Sequence, residues 1–251
     1  MSVSNGRDPD PAVSVVVPVR NEAGNVAPLV AEIEAALAGR SFEIVYINDG
    51  STDATEAELL ALMAGRPYLR QIRHTTSCGQ SAAIRSGVQN ARAPTVATLD
   101  GDGQNDPGFI PILVNALESG GPKLGLVAGQ RVGRKASGFK RMQSRIANAV
   151  RASVLKDGTR DTGCGLKAFR RDLFLALPYF DGLHRFLPAL VRREGFEIGY
   201  VDVVDRPRRH GVSNYGFWDR LWIGILDLAG VWWLIRRRKR VPQAEEVHCA
   251  R

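Results

Sequence analysis

Three cysteines, Cys78, Cys164 and Cys249, occur in the whole chain of 251 residues, and no Cys-x-x-Cys pair is among them. That odd, sparse set excludes a disulfide scaffold and a structural zinc site, and it fits a reducing cytosol. Long apolar runs are also lacking. The best, Leu221 to Ile235, has fifteen residues broken by Asp227, short of the roughly 20 needed to span a bilayer. Residues 1–11 are polar, carry Asp8 and Asp10, and read as a disordered lead-in rather than a signal peptide. No Gly-x-Gly-x-x-Gly follows the first predicted strand, which argues against a nicotinamide dehydrogenase. Internal repeats and low-complexity tracts are absent too.

What is present is ordinary in amount and unusual in placement. The chain is 44% hydrophobic, enough for one sizeable core, and 24% charged. Its net charge is +8, and the segment from Arg131 to Arg160, with nine basic residues and one acid, carries a net +8 by itself. Further basic groups are Arg206, Arg208 and Arg209, and the run Arg236 to Arg240. Clusters of this kind suit phosphates or an anionic membrane surface. A solvated basic face fits the same residues. Nucleic acid is not an expected partner, because basic segments alone leave the acids described next without a purpose.

The first half alternates strand and helix patterns. Strands are predicted over 13–17, 42–47, 69–74, 95–99 and 124–128. Helices are predicted after Val26 (with Pro28 in the first turn and Gly39 as stop), from Asp53, over 80–90 and over 109–118. Asp53 with Glu56 three residues on reads as a capping box. The second half is less regular: helical stretches over 131–157, a turn at 161–165, a strand over 196–204 and a loop over 207–215. Such alternation predicts an α/β, doubly wound, largely parallel sheet, with ligands beyond the carboxyl ends of its strands.

Acids collect at those ends. Asn21 and Glu22 follow the first strand, Asn48 and Asp49 the second, Asp100 and Asp102 the fourth. Such crowding is unfavourable unless a cation or polar ligand lies among the acids. Asp102 and Gln104, two apart in a turn loosened by Gly101 and Gly103, offer two oxygens to one hard cation, Mg2+ or Mn2+, and leave positions for phosphate and water. A ligand-free polar turn fits those residues as well. An EF-hand does not, because its required Gly and Glu positions are Asn105 and Pro111. Asp49 is suited to accept hydrogen bonds from a nucleobase or ribose, whereas Ser51, Thr52 and Asp53 fit helix capping.

Five segments in this order resemble family 2 glycosyltransferases, and within them the polyprenyl-phosphate sugar synthases of the dolichol-phosphate mannosyltransferase type. They are Val17-Pro-Val-Arg-Asn-Glu22, Asn48-Asp-Gly-Ser-Thr-Asp53, Asp100-Gly-Asp-Gly-Gln104 with Pro107, Gly129-Gln-Arg131 and Asp161-Thr-Gly-Cys-Gly165. The likeness covers about residues 12–235. It departs from the usual pattern at Asn48, Leu166 and Asn214, the last within Gly211-Val-Ser-Asn-Tyr215. It implies a single Rossmann-like GT-A domain over 12–215, followed by a Trp-rich interfacial helix with a basic end over 216–240 and a tail over 241–251.

The resemblance also implies roles. Pro18, Glu22, Asp49 and Asp100 would hold a UDP- or GDP-sugar, and Asp102 and Gln104 the metal. Arg131 would meet a phosphate, and Asp161 would orient the acceptor or assist the transfer. Arg141, Ser144 and Arg145, at helical spacing in the basic segment, would bind the acceptor phosphate together with Arg209 and Ser213.

All four tryptophans, Trp218, Trp222, Trp232 and Trp233, fall in or just before the last apolar run, which is followed by five basic residues. Indole at an interface and a basic cytoplasmic flank predict a helix lying on the inner leaflet, against the alternative of a buried core helix. The expected reaction is inverting sugar transfer to a polyprenyl phosphate at the cytoplasmic face of the cell membrane, supplying a lipid-linked sugar for envelope glycans. A soluble or glycan acceptor is the alternative, and a homo-oligomer is left open.

Overall fold

The computed structural model describes residues 10–132, 151, 153–159, 161–207 and 217–237, with the side chains of 217–223 excepted. Arg141, Ser144, Arg145, Arg209, Ser213 and the loop expected over 207–215, except Pro207, lie outside the described residues, as do the side chains of Trp218 and Trp222.

The expected alternation is realised. Strands β1 (Val13–Val19), β2 (Phe42–Asp49), β3 (Leu69–His74), β4 (Thr95–Thr98) and β5 (Leu124–Arg131) alternate with helices α1 (Val26–Ala36), α2 (Thr55–Met63), α3 (Gln80–Asn90) and α4 (Ile110–Ser119). A 3-10 turn, Pro107–Phe109, leads into α4. Valine runs make the central strands: Val13, Val15, Val16 and Val17 are all fully buried, as expected of a parallel strand covered on both faces.

Seven strands form one sheet in the order β3-β2-β1-β4-β6-β5-β7. β6 (Lys167–Arg170) is antiparallel to both of its neighbours, while β7 (Glu197–Val203) runs parallel to β5. The sheet is therefore mostly parallel, with one reversed strand inserted. Apolar clusters lie on both faces. One, with Leu29, Ile33 and Leu113, sits under α1 and α4; the other, with Ile84, Phe186 and Leu190, sits under α3 and α6 (Leu183–Arg193).

Two expectations need correction. The second half is more regular than its pattern suggested, holding β6, α5 (Arg171–Ala176) and α6. The capping box at Asp53 does not form. Ala54 is the N-cap of α2, Asp53 Oδ1 accepts from the amide and hydroxyl of Thr55, and Glu56 pairs with Arg73 at 3.1 Å. Asp53 is drawn away because its other oxygen accepts from the Ala23 amide at 3.1 Å, joining the β2–α2 loop to the β1–α1 loop. α7 (Phe217–Arg236) lies within the 216–240 stretch and rests one side on the core. Val231 is 1% exposed, and Leu228, Leu234 and Ile235 pack on the core. Leu226 and Trp233, by contrast, are 70% and 52% exposed. Among the described residues no helix is long and apolar enough to cross a membrane.

Candidate active site

The carboxyl ends of β1, β2 and β4 open into one cleft of about 410 Å³. Pro18, Glu22, Asp49, Asp100 and Asp102 all line it, so the structure brings together acids drawn from three separate loops.

The loops are fastened before any ligand arrives. Asn21, with φ 56, accepts from the Thr52 amide at 2.8 Å, and its own amide donates to Ser51 Oγ at 3.0 Å. The Glu22 amide donates to Thr55 Oγ1, and Asn25 Nδ2 donates to Glu22 Oε2 at 2.7 Å. Much of the Asn48-to-Asp53 segment therefore serves loop-to-loop stitching. Asn48 itself is buried and accepts from the Ser51 amide.

Asp49 is held by four donors: His74 Nδ1 at 2.7 Å, Ser77 Oγ at 2.8 Å, and the amides of Cys78 and Gly79 at 2.8 and 2.9 Å. Burial works to raise its pKa, but these hydrogen bonds outweigh burial and hold the carboxyl below the usual carboxylate range. The loop over 75–79 wraps so closely that a Cβ on Gly50 would stand 2.6 Å from the Ser77 amide nitrogen. Asp49, His74 and Cys78 place one potential ligand atom each within 4.8 Å of one another. Their mutual hydrogen bonds, continued by His74 Nε2 to Ser86 Oγ at 2.9 Å, fit a polar clamp on this loop.

The turn after β4 is built differently. Asp100 accepts from Gln80 Nε2 at 2.7 Å, its amide donates to Asn105 Oδ1 at 3.0 Å, and the Gln104 amide donates to Asp102 Oδ1 at 3.0 Å. Gly101 lies against β1, where a Cβ would meet the Val19 side chain at 2.3 Å, and Gly103 has φ +73. Burial, and then the charge of Asp102, push the Asp100 carboxyl up to about 6. Lys167 and Arg131 act in the opposite sense without cancelling that push. Excess negative charge on an all-oxygen turn fits a hard divalent cation. The side-chain amide of Gln104, outside the cleft wall, makes no hydrogen bond among the described residues, and the backbone carbonyl of Gln104 accepts from the Arg206 backbone amide at 2.8 Å.

Arg131 and Asp161 are placed on each other. Nε and Nη2 of Arg131 reach the two oxygens of Asp161 at 2.5 and 2.9 Å, and Nη1 reaches Asp205 at 3.3 Å. Burial opposes ionisation of both groups, yet the pairing wins: the Asp161 pKa is lowered and that of Arg131 raised. Asp161 also accepts from the Gly163 amide at 3.1 Å. A carboxylate so occupied is a poor base and a good holder for Arg131, whose Nη2 would lie 2.9 Å from a Cβ on Gly163 in the cleft wall.

Among the wall residues that sequence reasoning missed are Gln80, Lys167, His184 and Arg185. Lys167 is 5% exposed and donates to the Cys164 carbonyl, and burial lowers its pKa. The signal for the last two was present in the stripe Leu183, Phe186, Leu187, Leu190 and Val191, which marks a helix with His184 and Arg185 in its first turn.

Comparison with known proteins agrees with this geometry. The sequence model for "Glycosyl transferase family 2" matches residues 14–177. The chain is 36% identical over 240 residues to a dodecaprenyl-phosphate galacturonate synthase of Rhizobium johnstonii, covering 91% of this chain and 68% of that protein. It is 34% identical over 208 residues to an undecaprenyl-phosphate 4-deoxy-4-formamido-L-arabinose transferase of Edwardsiella ictaluri, covering 81% of this chain and 63% of that one. Among solved structures, glucosyl-3-phosphoglycerate synthase from Mycobacterium tuberculosis, crystallised with Mn2+, uridine diphosphate and glucosyl-3-phosphoglycerate, superposes with a TM-score of 0.66. At 21% identity, covering 91% of this chain and 80% of that chain, it is a likeness of fold. With the acidic cleft in place and the family match spanning most of the sheet, this chain belongs to glycosyl transferase family 2.

Proposed function

We propose that this glycosyltransferase moves a sugar from a nucleoside-diphosphate sugar, with uridine or guanosine as base, onto a polyprenyl phosphate. The observation that carries the reading is the single cleft in which Glu22, Asp49, Asp100 and Asp102 converge from three strand ends. The naming of both relatives as polyprenyl-phosphate enzymes supports the acceptor class.

Pro18, Glu22 and the fastened loops around Asp49 receive the base and ribose. Asp102 and Gln104 would hold Mg2+ or Mn2+, which when bound supplies positive charge to the departing diphosphate. Gln80 and Asn105 set the position of Asp100 beside the sugar. Asp161 and Asp205 keep Arg131 rigid behind Gly163, where its guanidinium adds positive potential to the cleft without leaving its partners. The acceptor is a phosphomonoester with a second pKa of about 6, ionised enough at neutral pH to attack the anomeric carbon unaided by a strong base. Attack from the face opposite the leaving diphosphate gives inversion.

The outer face of α7 supports a membrane-bound acceptor. Ile225, Leu226, Trp232 and Trp233 point away from the core, and the Arg236 guanidinium lies 4.4 Å from the Trp232 ring centroid. Apolar and indole groups edged by arginine suit an anionic lipid interface on the cytoplasmic side. Arg141, Ser144, Arg145, Arg209 and Ser213 remain the proposed acceptor-phosphate contacts.

A panel of UDP- and GDP-sugars offered with undecaprenyl phosphate, and separately with soluble phosphorylated acceptors, tests the reading. One donor should yield a lipid-linked sugar. Turnover confined to the soluble acceptors would replace the proposed acceptor class.

A further inference from the structure

His184 and Arg185 belong to none of the five motifs, yet both face the cleft. They open α6, just after its N-cap Gly182 with φ 88. Ser81 Oγ of α3 accepts from the Gly182 amide at 3.0 Å and lies 2.7 Å from His184 Nδ1. Among the described residues Nδ1 is the one acceptor offered to the Ser81 hydroxyl proton, so Ser81 donates to it and the ring carries its own proton on Nε2. Burial keeps that ring neutral, its pKa pushed down to about 3. His184 is thereby a fixed N–H donor with no partner for Nε2 among the described residues. The neighbouring residue in α3, Gln80, is the one that holds Asp100, so α3 fixes the acidic turn and His184 to one cleft.

Arg185 is exposed and has neither an ion pair nor a hydrogen bond among the described residues. Arg131 is held by Asp161 and Asp205 and Lys167 by the Cys164 carbonyl, which leaves Arg185 and, across the cleft lining, the exposed Arg20 without such a partner among the described residues. The Asp227 carboxyl lies within reach of the Arg185 charge without bonding to it, so a guanidinium whose N–H donors are free beside an imidazole N–H has the chemistry to receive a phosphate oxygen. We propose that Arg185 and His184 form a phosphoryl-binding subsite, which takes an oxygen of either the acceptor phosphomonoester or the donor diphosphate. The assignment of those two ligands rests on the sugar-transfer reading.

Calorimetry on the full chain tests it without turnover. Farnesyl phosphate, farnesol, and UDP or GDP with Mn2+ are titrated into wild type, Arg185→Gln and Arg185→Lys. Arg185→Gln should weaken one phosphate ligand by about 10- to 100-fold at unchanged Tm, with farnesol binding unaffected and Arg185→Lys intermediate. A loss for farnesyl phosphate assigns the subsite to the acceptor, and a loss for the nucleoside diphosphate assigns it to the donor. Equal affinities in wild type and Arg185→Gln overturn the proposal, as does a parallel loss of farnesol binding or a wild type that binds neither phosphate. Failure of the wild type to transfer sugar while these affinities shift would refute the reaction and leave the subsite standing.

Discussion

Gly165 makes a close contact with the Asp100 carboxylate of the acidic turn. A Cβ placed there would stand 2.4 Å from Asp100 Oδ2, 2.5 Å from its Cγ and 2.5 Å from Oδ1. Ordinary contact needs about 3.5–4 Å, so Gly165→Ala drives the two groups apart by roughly 1 Å. The carboxylate cannot swing freely, because Gln80 Nε2 and the Asn105 link to its amide hold it. Nor can the Gly165 segment retreat easily, since its carbonyl accepts from Thr98 Oγ1 at 2.8 Å. Overpacking of this kind costs about 1–3 kcal/mol, a fall of roughly 2–4 °C in Tm for each kcal/mol in a chain of this size. Displacing a substrate-positioning group by roughly 1 Å lowers kcat/KM by about 100-fold. Thermal melts and steady-state kinetics on the purified variant measure both. A variant with wild-type Tm and wild-type kcat/KM would refute the argument that Gly165 exists to admit Asp100.

Asp49→Asn turns an amide NH2 toward donors at Ser77 and Gly79 and should destabilise by about 1–3 kcal/mol at neutral pH. The folded pKa of Asp49 is lowered, so its contribution is present above the unfolded value of about 3.9 and is lost as pH falls through the depressed folded value. The gap in Tm between wild type and variant should therefore close below about pH 4, and a pH-independent gap would contradict the hydrogen-bond account. Arg131→Met strands Asp161 and Asp205 and should cost about 3 kcal/mol in urea unfolding, partly recovered when Asp161→Asn is added; an additive double variant would show the pair is uncoupled. Replacing Trp232 and Trp233 by Ala should reduce flotation with anionic vesicles while leaving turnover of a short water-soluble polyprenyl phosphate unchanged, and undiminished flotation would remove α7 from the membrane account.

The legible and illegible parts of the fold have physical causes. β1 and β2 are readable because buried parallel strands are runs rich in Val and Ile, and β3 to β5 because short apolar segments recur between helical patterns. β6 is not, because four residues beginning with Lys167 and ending with Arg170 look like surface chain. Lys167 is buried only because the Cys164 carbonyl takes its ammonium, a partner no local pattern reveals. Helix α6 was obscured by Pro188 in its interior. At the site, the acids at strand ends were readable from topology, as was the all-oxygen turn. The pairing of Asp161 with Arg131 was not, since thirty residues separate them and the contact depends on β5 and the turn before β6 meeting. Gln80, His184 and Arg185 were missed for the same reason: each is an ordinary helical residue until α3 and α6 pack side by side.

The central claim is that Asp102 and Gln104 anchor the metal through which the nucleoside diphosphate is held. Nucleoside diphosphate binding, measured with and without Mn2+ on wild type and Asp102→Ala, tests it most directly. The account predicts tight, chelator-sensitive binding by wild type, and both that binding and lipid-linked sugar formation lost in Asp102→Ala. Metal-independent binding by wild type, or normal turnover by Asp102→Ala, would contradict it.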